Sequence, residues 1–154
     1  METKRRTFIP DRAFRRLIDI DIEQDIIACG FKLVILDIDG TLKNRLLRRA
    51  PKDIIRWVKE CRNKGLYICL VSNDRRNRHI DFADMLDLPL IAAAHKPSPE
   101  PLSCLSVEFG VAPDKTVVIG NNPFTDILAS HRAGMKGYLV RSIETTRGKP
   151  KHRK

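Results

Sequence analysis

From Lys32 to Val140, short apolar runs alternate with amphipathic stretches. Lys32-Leu-Val-Ile-Leu-Asp37 is a nearly continuous apolar run ending in an acid, the pattern of a strand buried on both faces. Pro51 stands where a first helical turn tolerates it, Ile54, Ile55, Val58 and Cys61 follow at helical spacing, and Gly65 closes the segment. Leu66–Val71 reads as a second buried strand ending at Ser72-Asn73. Asp74 is placed to cap a helix whose apolar positions include Ile80, Phe82, Ala83 and Leu86. Pro89–Ala93 predicts a short third strand leading to His95-Lys96-Pro97. A helix from about Pro99 to Phe109 stops at Gly110, and Thr116–Ile119 is a fourth strand ending at Gly120-Asn121-Asn122. Asp126–Ala133 reads as helix, and Gly137–Val140 as the last strand.

Strands alternating with helices imply right-handed crossovers, hence an α/β fold: a three-layer, doubly wound, Rossmann-like parallel sheet with helices on both faces. The 154 residues suit a single domain. Residues 1–30 form a lead-in, 31–141 the core and 142–154 a basic tail. Phe14, Leu17, Ile18 and Ile22 suggest that the lead-in is a helix or irregular segment packed on the core. Cys29, Cys61, Cys69 and Cys104 share no metal-ligand spacing and read as reduced thiols of a cytoplasmic protein. No apolar run reaches membrane-spanning length, and Met1-Glu-Thr-Lys-Arg-Arg lacks the apolar stretch of a secretory signal.

Net charge is +10, and it is concentrated at the ends. Residues 1–16 carry six Lys/Arg against two acids, and residues 141–154 six against one, which leaves +1 for everything between. Such ends suit attraction to an anionic membrane surface, RNA or a polyphosphorylated substrate, or are simply solvated. His79, His95 and His131 are scattered and suggest no metal cluster, and Trp57 lies at a helical position suited to packing.

The polar residues fall where a parallel sheet binds ligands, just beyond the carboxyl ends of its strands. Asp37 and Asp39 follow the first strand, Ser72 and Asn73 the second, Lys96 the third, and Asn121 and Asp126 the fourth. A phosphate ester repels a carboxylate nucleophile unless a cation neutralises both, and Mg²⁺ prefers carboxylates, water and substrate oxygens. Asp37 is then metal ligand and nucleophile, forming an aspartyl-phosphate. Asp39 protonates the leaving oxygen and afterwards deprotonates water. Lys96 supplies charge, and Ser72 with nearby backbone N–H groups binds phosphate.

Asp37-x-Asp39-x-Thr41, Ser72-Asn73, Lys96-Pro97 and Gly120-Asn121-Asn122-x-x-Thr125-Asp126 resemble the four motifs of the haloacid-dehalogenase-like (HAD) phosphohydrolases. Ile9-Pro10, Ile18-Asp-Ile-Asp21 and Gly30-Phe-Lys resemble the start of the subfamily IIIA proteins called YqeG-like, which are related to phosphatidylglycerophosphate phosphatases. The resemblance implies catalysis by Asp37, Asp39 and Lys96 and substrate binding by Thr41, Ser72, Asn73 and Lys96. It implies Mg²⁺ held by Asp37, Asp39 (through its carbonyl), Asn121 and Asp126. Asn121 departs from the pattern, which expects an acid, so one negative charge is missing and the metal should be held less tightly.

HAD enzymes often insert a cap domain between motifs. Thr41–Ser72 and Asn73–Lys96 each have room for only one helix and one strand, so an uncapped fold is expected. An uncapped site suits a large or surface-held substrate, such as a lipid phosphate at a membrane that the protein approaches peripherally. Arg45, Arg48, Arg49, Arg75, Arg76 and Arg78 follow the first two motifs and could steer an anionic group. The competing reading is a catalytically weakened binding module associating with RNA or a ribosome-linked partner through its basic ends.

Overall fold

A computed structural model describes residues 8–43 and 49–141, without the side chains of residues 76 and 77. Arg45, Arg48, residues 1–7 and the tail from residue 142 therefore lie outside the described residues, as does the side chain of Arg76. Six strands form one sheet: β1 (Arg12–Phe14), β2 (Leu33–Leu36), β3 (Tyr67–Val71), β4 (Leu90–Ile91), β5 (Thr116–Gly120) and β6 (Lys136–Val140). Their order is β1-β6-β5-β2-β3-β4, and every pairing is parallel. The crossovers carry helices α1 (Lys52–Asn63), α2 (Arg76–Leu86), α3 (Glu100–Phe109) and α4 (Leu128–Arg132).

Both faces of the sheet are covered, which is why β2 and β5 are buried at every position. Val34, Leu36, Ile68 and Leu70 point to one side and pack with Ile54, Trp57 and Val58 of α1 and Phe82 of α2. The alternate residues Leu33, Ile35, Cys69 and Val71 point to the other, against Leu102 and Leu105 of α3 and Ala129 of α4. The three-layer doubly wound expectation thus describes the fold. From β2 the chain winds to β3 and β4 on one side, then returns to place β5 and β6 on the other. That reversal opens a crevice above the carboxyl ends of β2 and β5.

The lead-in packs on the core as expected, through Leu17 and Ile22 with Phe14 and Ile18 beside them, and it also contributes a strand. Arg12–Phe14 adds a parallel edge strand to β6. Asp11 fixes it, accepting from the Gly137 N–H at 2.8 Å and donating its own N–H to the Gly137 carbonyl at 2.8 Å. A 3₁₀ turn (Leu17–Asp19) and a π-helical stretch (Ile22–Ile27) then lead to β2. The buried Trp57 indole donates to the Ile20 carbonyl at 3.0 Å, joining this segment to α1. The four cysteines are free; Cys61 and Cys69 are buried, and burial pushes both thiols up to about 12. Among the described residues no helix is long and apolar enough to cross a membrane.

Candidate active site

Asp37 leaves the end of β2 and meets Lys96, delivered from the loop after β4. The Lys96 ammonium is almost wholly buried and has three hydrogens. It has three acceptors: Asp37 Oδ1 at 3.0 Å, Asp126 Oδ1 at 2.6 Å and the Val71 carbonyl at 3.1 Å. The other oxygen of Asp37 accepts from the Thr41 hydroxyl at 3.2 Å. The other oxygen of Asp126 accepts from the Asn122 N–H at 3.3 Å. Burial and then the nearby Asp126 charge push the Asp37 carboxyl up to about 6, against the pull of Lys96 and Thr41. For Lys96, burial works against the charged form, but Asp126 and Asp37 outweigh it and the ammonium is held well above the usual lysine range. The centre is thus two buried carboxylates sharing one ammonium, with an excess of negative charge.

Backbone strain helps present Lys96. Ala93 (φ 48°) and His95 (φ 57°) are both in the left-handed region, which costs non-glycine residues energy unless neighbours enforce it. Here the Ala93 N–H donates to Asp74 O at 2.8 Å and the Ala94 N–H to Ser72 O at 3.0 Å. Asn73 clamps the same loop from its side chain. Its Oδ1 accepts from the Lys96 N–H at 2.7 Å and its Nδ2 donates to the Lys96 carbonyl at 3.1 Å. Asn73 also lines the pocket, but its amide is engaged by the backbone at both ends. Ser72 is buried, and its hydroxyl oxygen accepts from the Asp74 N–H at 3.0 Å.

A cavity of about 290 Å³ lies over these groups, lined by Asp37, Asp39, Ser72, Asn73, Asp74, Lys96, Asn121, Asn122, Thr125 and Asp126. Of the catalytic, substrate-binding and metal candidates read from the sequence, all line it except Thr41, whose hydroxyl donates to Asp37; Arg49, Arg75 and Arg78 are not among the lining residues. Asp37, Asp126, the Asn121 amide and the backbone are hard oxygen donors of the kind a divalent cation takes.

Asp39 belongs to a second cluster that the sequence concealed. Its Oδ1 receives the buried Lys43 ammonium at 3.1 Å, and its Oδ2 faces His79 Nε2 at 3.5 Å and Arg78 Nη2 at 3.6 Å. Burial alone would raise this carboxyl, but hydrogen bonding from His79 and Lys43 outweighs it and holds the carboxyl well below the usual carboxylate range. Asp74 does not cap α2 as expected: the cap position is Arg75, and the Asp74 carboxylate turns to His79 at 3.1 Å and Arg78 at 3.5 Å. The histidines are therefore not all scattered; His79 joins Asp39 and Asp74, one ligand atom from each lying within 4.8 Å of the others. Asp74-x₄-His79 at a helix start, and Lys43 four residues after Asp39, are the signals that could have disclosed this grouping.

Comparison with known proteins agrees with this arrangement. Residues 93–153, which include Lys96 and the Gly120–Asp126 motif, match the HAD-hydrolase-like family. "Probable phosphatase YqeG" of Bacillus subtilis (strain 168) is 28% identical over 141 residues, 92% of this chain and 81% of that protein. Mouse (Mus musculus) chronophin is 45% identical over a 45-residue stretch, 29% of this chain and 15% of chronophin. In structure, a hydrolase from Streptococcus pneumoniae TIGR4 superimposes with a TM-score of 0.62 at 16% identity, covering 77% of this chain and 97% of that one. With four motifs in order around the crevice of a doubly wound sheet, the chain is similar to the HAD-like hydrolases over residues 93–153 and to the probable phosphatase YqeG over most of its length.

Proposed function

We propose that the chain is a phosphoric monoester hydrolase acting through an aspartyl-phosphate on Asp37. The observation that carries this reading is the Lys96 ammonium bridging the buried carboxylates of Asp37 and Asp126 on the floor of the cavity, with Asp39 at its wall. An Asp37 oxygen attacks phosphorus, the bond from phosphorus to the leaving oxygen breaks, and that oxygen takes a proton from Asp39, which is ionised in the free chain and receives that proton from the phosphate monoanion of the substrate as it binds. Water then attacks phosphorus, gives its proton to Asp39, and inorganic phosphate leaves as the Asp37 carboxylate is restored. Lys96 offsets charge throughout, while Ser72 and the backbone N–H groups beside it orient phosphoryl oxygens. Thr41, buried under Asp37, holds the nucleophile rather than the substrate.

The donor set fits Mg²⁺. Two buried carboxylates and one ammonium leave negative charge that already lifts the Asp37 carboxyl, and a hard cation would relieve it. Asp37, Asp126, Asn121 and the Asp39 carbonyl would hold it. Bound there, it supplies Lewis-acid neutralisation of the phosphoryl oxygens. The Asp39–Asp74–His79 group is a poorer home for a cation, because Lys43 and Arg78 already balance its two carboxylates.

The substrate we propose is a lipid phosphate such as phosphatidylglycerophosphate, or another large monoester held at a surface, met by a cytoplasmic protein peripheral to the membrane. The similarity to YqeG, a cavity with no cap domain over it among the described residues, and the basic ends support it. The test is phosphate release from phosphatidylglycerophosphate vesicles and from an aryl phosphate, with and without Mg²⁺. Release should require Mg²⁺ and fall to background in Asp37→Asn. Asn121→Asp should lower the Mg²⁺ concentration for half-maximal rate roughly tenfold, since it returns a carboxylate to the metal side. No turnover of any monoester at millimolar Mg²⁺ would leave the RNA- or protein-binding reading in its place.

A further inference from the structure

His79 takes no part in the chemistry just described, yet it is completely buried. It lies in the first turn of α2, a turn that contains no acid. A polar ring in such a place needs partners, and those it has are informative. Nε2 is hydrogen-bonded to Asp74 Oδ2 at 3.1 Å, and its other neighbour, Asp39 Oδ2, faces it at 3.5 Å. Nδ1 is buried without a hydrogen-bond partner among the described residues. A proton on Nδ1 would be stranded, whereas a proton on Nε2 points into the gap between the two carboxylates. Nε2 is therefore the donor edge of the ring, held by Asp74.

Asp39 has the complementary need. Its Oδ1 is tied to Lys43, while its Oδ2 is buried and lacks a hydrogen bond among the described residues. The groups facing Oδ2 are His79 and Arg78, at 3.5 and 3.6 Å. Lys43 is not available for that oxygen in the same way: its ammonium lies against Oδ1 and over the Phe82 ring at 5.7 Å. A carboxyl that gives up a proton and recovers it in one turnover must keep its orientation through both charge states, and a fixed donor at one oxygen does that.

We propose that His79, held by Asp74, is a positioning residue for Asp39, sharing its Nε2–H between Asp74 Oδ2 and the more distant Asp39 Oδ2 so that the carboxyl stays aimed at the leaving oxygen. The inference rests on the reading of Asp39 as the group that protonates the leaving oxygen. His79 acts by position, while Asp39 gives its proton to the leaving group and regains one from water. Asp74 supplies no chemistry of its own; it fixes the ring plane.

The role is separable from mere stability through the leaving group. An alkyl phosphate needs protonation of its departing oxygen, whereas p-nitrophenyl phosphate departs as a stable phenolate. The kcat/KM value reports the step in which that bond breaks. Wild type, Asp39→Asn, His79→Leu and His79→Gln should be compared on glycerol phosphate and p-nitrophenyl phosphate at saturating Mg²⁺, with folding checked by circular dichroism. Leu fills the buried space without a donor, and Gln restores an N–H near the Nε2 position.

His79→Leu should lose roughly tenfold to a hundredfold in kcat/KM on the alkyl ester, because positioned proton transfer is worth about 10²–10⁴. The aryl ester should change by less than about threefold, and His79→Gln should recover much of the alkyl loss. Equal losses on both esters, or no loss on either, would overturn the positioning role while Asp39→Asn still shows the alkyl-selective loss. If Asp39→Asn itself shows no such selectivity, or wild type releases no phosphate, the underlying assignment of Asp39 falls and the role of His79 falls with it.

Discussion

Gly120 ends β5 directly under the Asp126 carboxyl, and replacing it with alanine tests whether that placement matters. A methyl group there would lie 2.3 Å from Asp126 Cγ and Oδ2 and 2.6 Å from its Cβ. Ordinary carbon contacts begin near 3.4 Å, so the carboxyl has to retreat by about 1 Å. Asp126 is 1% exposed and fully packed, which leaves little free space for the move. A shift of that size stretches the 2.6 Å contact with Lys96 beyond hydrogen-bonding range. Breaking one leg of a buried charge pair costs about 3–5 kcal/mol, and a 1 Å misplacement at a reacting centre costs about a hundredfold in rate.

Gly120→Ala should therefore lose about two orders of magnitude in kcat/KM, need more Mg²⁺ for half-maximal rate and unfold at lower urea. Gly65→Ala is the control: its φ is +88° with nothing within 4 Å of the added methyl, so it pays left-handed strain of about 1–2 kcal/mol far from the site. Its kcat/KM should stay at the wild-type value. Wild-type turnover and Mg²⁺ dependence in Gly120→Ala would refute the importance of Asp126, and an equal activity loss in Gly65→Ala would show that stability alone is being read.

Two further outcomes follow from the buried groups. The raised Asp37 carboxyl binds its proton more tightly in the folded than in the unfolded chain, so its stabilising contribution is present below its ordinary value near 3.8 and is lost as pH rises through about 6. Apparent Mg²⁺ affinity, measured by isothermal titration, should accordingly fall roughly tenfold per pH unit below about 6, because the ligand must shed its proton; a flat profile from about pH 4.5 to 7 would contradict it. Trp57→Phe leaves the Ile20 carbonyl without its indole donor and should cost about 1–3 kcal/mol in urea unfolding with kcat/KM unchanged, whereas unaltered stability would mean the lead-in is not held by that bond.

The α/β winding and the strand ends that meet at the site were legible in the sequence because each depends on local pattern. A run such as Leu33–Leu36 can be satisfied only between two covered faces, and a polar group after such a run can only open on the crevice. What escaped depends on distant partners. Arg12–Phe14 has neither strand length nor alternation, and it pairs because β6 offers an open edge and Asp11 clamps both backbone groups of Gly137. Asp74 looked like a helix cap, but Ser72 takes its N–H and His79 and Arg78 draw its carboxylate inward. The clamp of Asn73 on both backbone groups of Lys96 likewise joins positions 23 residues apart.

Asn121 is where hydrogen-bond accounting changes the expectation most. Loss of the acid at that position would matter little if Asp126 offered the cation a free carboxylate. It does not: Lys96 occupies one oxygen of Asp126 and the Asn122 N–H the other. Both oxygens of Asp37 are likewise engaged, by Lys96 and Thr41. Each carboxylate oxygen keeps a second lone pair, so a cation can bind there only by sharing oxygens that already carry a hydrogen bond and part of a neighbouring charge. Asn121 lines the same pocket, and an acid there would add a carboxylate that Lys96 and Asn122 do not already share. Asn121→Asp is thus a change in the number of unshared ligand charges, and a strong fall in the Mg²⁺ requirement follows from the way Lys96 and Asn122 already hold Asp126.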